Sequence, residues 1–148
     1  MTVRVDTAAF DPGAETNAFL AGSAGAGAAV TFTGLVRSLP GEAISLLTLE
    51  CYPELATTEI ANMIAEATAR FGLLRAMVIH RYGDLLPGEP IVQVMTLAAH
   101  REAAFEGAAY LMDYLKTGAP FWKQETTAAG TRWVEAKSED DDAQARWA

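Results

Sequence analysis

Apolar and polar positions change their period several times along the chain, and each change marks an element. Thr2 to Val5 is a short strand, and Asp11-Pro12 then supplies an N-cap followed by proline at the first position of a short helix ending at Leu20. The run from Gly22 to Gly27 (GSAGAG) has neither the lysine nor the Ser/Thr ending of a phosphate-cradling loop, so it is read as a connector. AVTFTGLV (29–36) and ISLLTLEC (44–51) are rich in β-branched and aromatic residues. Only SLPGEA and its neighbours separate them, which predicts an antiparallel pair around a mobile loop. Pro53 opens a helix with Leu55, Ile60, Met63, Ile64, Ala67 and Phe71 on one stripe, and Gly72 ends it.

The pattern then returns to strands at Leu74–Tyr82 and Ile91–Ala98 around the turn-like GDLLPGE. A third helix spans Arg101–Thr117, with Ala104, Phe105, Ala108, Leu111, Met112 and Leu115 at helical spacing, closed by Gly118 and Pro120. Two last strands, Phe121–Thr126 and Thr131–Ala136, flank AAGT, and Trp122 is assigned to the core. A single domain over 1–137 is therefore expected, followed by a polar, acidic tail over 138–148 whose SEDDD run is solvated. Strands and helices do not alternate strictly. An α+β two-layer sandwich with mostly antiparallel strands and three main helices is favoured over a doubly wound sheet.

Composition removes several functions. The net charge of -8 opposes a general nucleic-acid binder. No apolar run reaches the ~20 residues of a membrane span and the N-terminus lacks a signal-peptide plan, so a soluble cytoplasmic protein is expected. Cys51 is the lone cysteine and His80 and His100 the only imidazoles, which argues against disulfide frameworks, thiolate clusters and a resident metal; no cofactor is expected.

Basic residues are scarce, and all three lysines (Lys116, Lys123, Lys137) lie in the last third. Lys116 sits in the last turn of the third helix and Lys123 in the strand just beyond APFW, so the bend at Gly118–Pro120 can fold both amines toward one spot. Two close ammonium groups depress at least one pKa, whereas the helix C-terminus favours the charged form of Lys116; sequence does not sign the net shift. Two ordinary surface lysines would show the same spacing. His100-Arg101, at a strand-to-helix junction, suits an anion, and Arg37 could add a bidentate contact. Helix capping and local ion pairs explain those positions equally. Glu125 shares a strand face with Lys123 and could orient it.

TFTGLVR, LTLECYPE, VIHRYGDLLPGE, AAHREAAF and YLKTGAPFWKQE followed by TRWVEAK occur in order over Ala29–Lys137. Together they resemble the large, catalytic subunits of molybdopterin synthases. That resemblance implies a hammerhead-like fold and a sulfur transferase. Its members convert a cyclic pyranopterin monophosphate (precursor Z) into the dithiolene molybdopterin, using the C-terminal thiocarboxylate of a small ubiquitin-like subunit. It makes Lys116 and Lys123 the catalytic lysines. Leu35, Val36, Arg37, His100, Arg101, Gln124 and Glu125 become substrate contacts, and Phe32 and Met112 pocket walls, for which core packing is an equal reading. It also implies a heterotetramer built on a central homodimer, with the pocket borrowing residues across it. Relatives carry a basic residue where Leu35 stands and a histidine where Cys51 stands. Cys51 is expected as a small hydrophobe rather than a sulfur carrier. Two other readings fit the residues alone: a Schiff-base lysine enzyme with pyridoxal phosphate, and a non-catalytic module binding a modifier's tail.

Overall fold

The computed structural model describes residues 2–134 and 138–147. In chain order they form β1 (Val3–Asp6), α1 (Pro12–Leu20), β2 (Ala28–Leu35), β3 (Leu46–Cys51), α2 (Pro53–Phe71), β4 (Arg75–Arg81), β5 (Gly83–Leu85), β6 (Pro90–Ala98), α3 (Arg101–Thr117), β7 (Phe121–Thr127), β8 (Gly130–Val134) and α4 (Ser138–Ala145). Lys137 and the expected end of the last strand at 135–136 lie outside the described residues.

Local chemistry explains the helix boundaries. The Asp11 carboxylate accepts from the Gly13 and Ala14 amides and caps α1. Gly72 ends α2 at a φ of 69°, a left-handed turn that costs glycine little.

The strands make two four-stranded sheets, ordered β1-β4-β6-β2 and β5-β3-β7-β8. Every pairing is antiparallel except β1 with β4. This is the α+β architecture expected. Sheet one presents Val78, Val92 and Val94 to Ile60, Ile64 and Ala67 of α2 and to Ala104, Ala108 and Leu111 of α3. Its opposite face carries Ile79, Met95 and Leu97, covered by Phe19 of α1. Fully buried Gln93 donates from Nε2 to the Pro12 carbonyl and the Thr16 hydroxyl, pinning α1 in place.

Several expectations are corrected. β2 and β3 do not pair: β2 runs against β6 from Ala28↔Ala98 to Leu35↔Pro90, while β3 lies between β5 and β7 in the other sheet. The reason is a second core, in which Val36, Ile44, Leu47, Leu49 and Leu85 pack together. The connection must cross from one sheet to the other to bury both ends. It is also tied rather than loose. Val36 exchanges backbone bonds with Gly88 and Glu89, and the Ser38 hydroxyl bonds the Ile44 backbone. Within GDLLPGE, Gly83–Leu85 pairs with β3 instead of turning, leaving the turn to Leu86–Glu89. Leu55 and Phe105 fall outside the buried stripes and are exposed. Trp122 is not core: at 48% exposure it stands on the outer face of sheet two, edge-on to Tyr52.

The polar segment expected as a tail contains α4 on the side of α3, while Asp141 and Asp142 of its acidic run stay exposed. Asp113 Oδ2 accepts from Arg146 (2.7 Å) and from the Trp147 indole (2.5 Å). The indole packs against Phe71 and Tyr110, and the Arg70 guanidinium lies over the same rings. Among the described residues no helix is long and apolar enough to cross a membrane.

Candidate active site

A cavity of about 230 Å³ opens where the two sheets meet the C-terminal end of α3. Phe32 and Gly34 of β2, His80 of β4 and Val92 of β6 form its floor. One wall is the last turn of α3, with Met112, Leu115, Lys116 and Thr117; the other is sheet two, with Leu47, Leu49, Phe121, Lys123 and Val134. Asp140 of α4 also lines it. The floor depends on glycine at position 34, because a Cβ there would come within 2.7 Å of Val92 Cγ1.

Lys116 and Lys123 therefore reach one cavity from either side of the Gly118–Pro120 bend. The bend is held by Gly118 N and Ala119 N, which both donate to the Tyr114 carbonyl, and by Phe121 N donating to the Ala119 carbonyl. Strand alternation then sends Phe121 and Lys123 inward and Trp122 outward. Phe32 and Met112 join the lysines as walls. Glu125 shares the inner face, but its carboxylate accepts from Arg132 Nη2 at 3.2 Å rather than lining the cavity. Gln124 lies on the outer face, opposite Trp133.

The remaining candidates lie elsewhere. Exposed Leu35 follows a register shift at Gly34/Leu35, and Val36 is 4% exposed within the second core. Arg37 is exposed beyond the end of β2. His100 and Arg101 are exposed at the start of α3, with His100 as N-cap residue but without a side-chain cap bond. Fifteen residues of helix put Arg101 about 22 Å along the axis from Lys116. Within one chain, Lys116 and the His100-Arg101 pair thus lie at opposite ends of α3.

His80 was passed over in the sequence, although a histidine among the apolar residues of a buried strand is a visible signal. The ring is 7% exposed and stacks on Phe121 with centroids 4.0 Å apart and planes 16° from parallel. Its Nδ1 is 2.8 Å from the Arg81 carbonyl. Burial pushes its pKa down to about 4; the carbonyl bond opposes this, and the nearby Lys116 ammonium adds to the depression. The ring is neutral at pH 7. A carbonyl only accepts, so Nδ1 carries the proton and Nε2 keeps its lone pair. Asp140 was likewise not anticipated, because nothing local in the sequence aims α4 at the cavity, and Thr117, next to Lys116 on α3, was passed over too.

Two sheets folded around a cavity into which Lys116 and Lys123 both reach, with His100 and Arg101 at the far end of the same helix, define an α+β protein with a basic pocket. The family model described as MoaE protein matches residues 5–118, and the chain belongs to that family. The molybdopterin synthase catalytic subunit of Cereibacter sphaeroides is 52% identical over 147 residues, covering 99% of this chain and all of that one. Among solved structures, the molybdopterin biosynthesis MoaE protein of Burkholderia ambifaria superposes with a TM-score of 0.84 at 44% identity, covering 99% and 97% of the two chains. The molybdopterin synthase of Staphylococcus aureus gives 0.81 at 25% identity, covering 89% and 96%. Lys123 lies past the end of the family match and within the span of all three of these similarities.

Proposed function

We propose that this chain is the catalytic subunit of a molybdopterin synthase, a sulfur transferase that converts cyclic pyranopterin monophosphate into dithiolene molybdopterin. The observation that carries the reading is the meeting of Lys116 and Lys123 in one cavity across the bend. Its support is the family membership and the full-length relatives named molybdopterin synthase catalytic subunit.

The chemistry starts with a sulfur nucleophile, because Cys51, half-buried and with its thiol pushed up by desolvation, is a poor thiolate. The sulfur comes instead from the C-terminal thiocarboxylate of a small ubiquitin-like subunit, whose tail enters the cavity. The thiocarboxylate sulfur attacks a side-chain carbon of the pterin. The C–O bond at that carbon breaks, and a lysine ammonium supplies the proton with which the oxygen leaves as water. The pterin is then joined to the tail as a thioester. Water hydrolyses it, leaving sulfur on the pterin and a carboxylate on the spent tail. A second charged small subunit repeats the cycle at the neighbouring carbon.

The half-sulfurated intermediate has to stay bound between rounds, which calls for several cations on its phosphate. Arg37 and Arg101 supply the charge and His100 a ring N–H, with Leu35, Val36, Gln124 and Glu125 as the neighbouring substrate contacts. The 22 Å along α3 means that one chain cannot bring His100 and Arg101 to its own lysines. A homodimer in which each copy lends its helix start to the other's cavity solves this, with a small subunit at either end. The reaction is cytoplasmic.

The test is single-turnover dithiolene formation with purified chain, thiocarboxylated small subunit and precursor. Lys116→Ala should lose at least about 10²-fold in rate, the scale of a lost general acid, while still binding the small subunit. Full turnover in that variant refutes the lysine chemistry. A stable complex with no product from the wild-type chain refutes the enzyme.

A further inference from the structure

The lysine reading leaves one buried group of the cavity unused. Lys116 is exposed, and its long side chain has rotamer freedom that must be restrained before it can deliver a proton at a fixed point. Among the described residues no ion pair restrains it. Lining the same cavity, and near enough to feel the Lys116 charge, is His80, whose ring is immobilised twice: Phe121 lies flat against its face and the Arg81 carbonyl holds its Nδ1. That carbonyl belongs to a rigid corner, because Arg81 itself donates from Nε and Nη2 to the Thr7 carbonyl and from Nη1 to Glu89. Both rings that define this geometry, and Lys116, line the cavity.

We propose that His80 is a positioning residue for Lys116: with Nδ1–H committed to the Arg81 carbonyl, its Nε2 is a fixed hydrogen-bond acceptor on which the Lys116 ammonium orients in the cavity. The inference rests on the catalytic reading of Lys116 and deepens it. His80 takes a hydrogen bond and not the proton, since burial and the neighbouring cation keep the ring neutral. The acid therefore stays on the lysine, aimed by an acceptor that does not compete for its proton. The charged groups that line the same cavity are Lys116 on α3, Lys123 on β7 and Asp140 on α4. Asp140 is also an acceptor, but it comes from α4, whereas the His80 ring is fixed by Phe121 and the Arg81 carbonyl.

Two measurements test this, the first without turnover. In nitrogen-15 spectra of the imidazoles, with His100→Asn used for assignment, His80 should show a protonated Nδ1 and a bare Nε2. It should keep them from about pH 5.5 to 8, well above its depressed pKa. A protonated Nε2 overturns the proposal. The second measurement is single-turnover rate. His80→Phe keeps the flat ring and removes the acceptor, and should slow dithiolene formation on the order of 10-fold, less than the ~10²-fold of a misplaced catalytic group. Precursor and small-subunit affinities should be unchanged. His80→Gln, which restores an acceptor, should recover most of the rate, and neither change should add to Lys116→Ala. Wild-type rate in His80→Phe, or equal losses in the two variants, overturns the positioning role. If His80→Phe does not fold, the ring spectrum and His80→Gln still decide. A dead Lys116→Ala beside a fully active His80→Phe sinks only this inference, whereas a fully active Lys116→Ala sinks the functional reading itself.

Discussion

Replacing Asp113 by alanine removes the anchor that fastens α4 to α3. One carboxylate oxygen accepts from the Trp147 indole and from the Arg146 guanidinium. The two contacts differ in weight. The Asp113 side chain is 15% exposed, but that of Arg146 is 55% exposed, so solvent screening holds this ion pair to about 0.5 kcal/mol. The indole bond is part-buried, and hydrogen bonds to charged groups contribute about 1.5 kcal/mol at the lower end of their range. Together they give about 2 kcal/mol, which converts to about 30-fold easier local opening. The assay is amide hydrogen exchange. Residues 141–147 should lose about 30-fold in protection while the centre of α3 keeps its own, and Arg146→Ala should change the same amides only about twofold. Unchanged exchange over 141–147 refutes the anchor, and so does an equal loss across α3, because the effect would then be global.

Acidification gives a separate signature. His80 falls from the ordinary histidine value to about 4, so the folded chain refuses a proton that the unfolded chain accepts. Its contribution is complete above about pH 6.5 and is lost progressively between about 6.5 and 4, amounting to about 3 kcal/mol. Glu89 is depressed, first by the Leu86 amide, so its contribution is lost only as the pH falls below the ordinary carboxylate value of 4.5, at the acid end of that window. Denaturant midpoints from pH 7 to 4.5 should therefore fall, and the fall should shrink strongly in His80→Gln; an equal slope in both chains contradicts the buried neutral ring. Cys51→Ser should leave the single-turnover rate within about twofold, since a raised thiol is a poor sulfur carrier; collapse of dithiolene formation would return Cys51 to the mechanism.

Most elements were legible because their signals are local. Asp11-Pro12 starts a helix, Gly72 ends one, and alternation from Phe121 sends Lys123 inward whatever surrounds it. Partner choice was not local. TFTGLV and LTLEC are close in the chain, yet Val36 and Ile44 belong to a second core that pulls the connection across to the other sheet. Trp122 shows the same limit, since alternation gives its face but only the sheet's position shows that this face meets solvent. In the site, the lysine pair could be read from the bend, and the distance of His100 and Arg101 from Lys116 follows from helix rise alone. Asp140 could not be placed, because it reaches the cavity through packing between segments remote in sequence, whereas Thr117 follows directly on Lys116 and His80 stood out in its apolar strand.

The two lysines are carried by different bodies: Lys116 rides on a helix packed against sheet one, and Lys123 on a strand of sheet two. The gap between their amines is thus a gauge of the tilt between the sheets. Any change in how sheet two packs on sheet one would therefore change the spacing of the two amines, even with α3 and β7 each left intact.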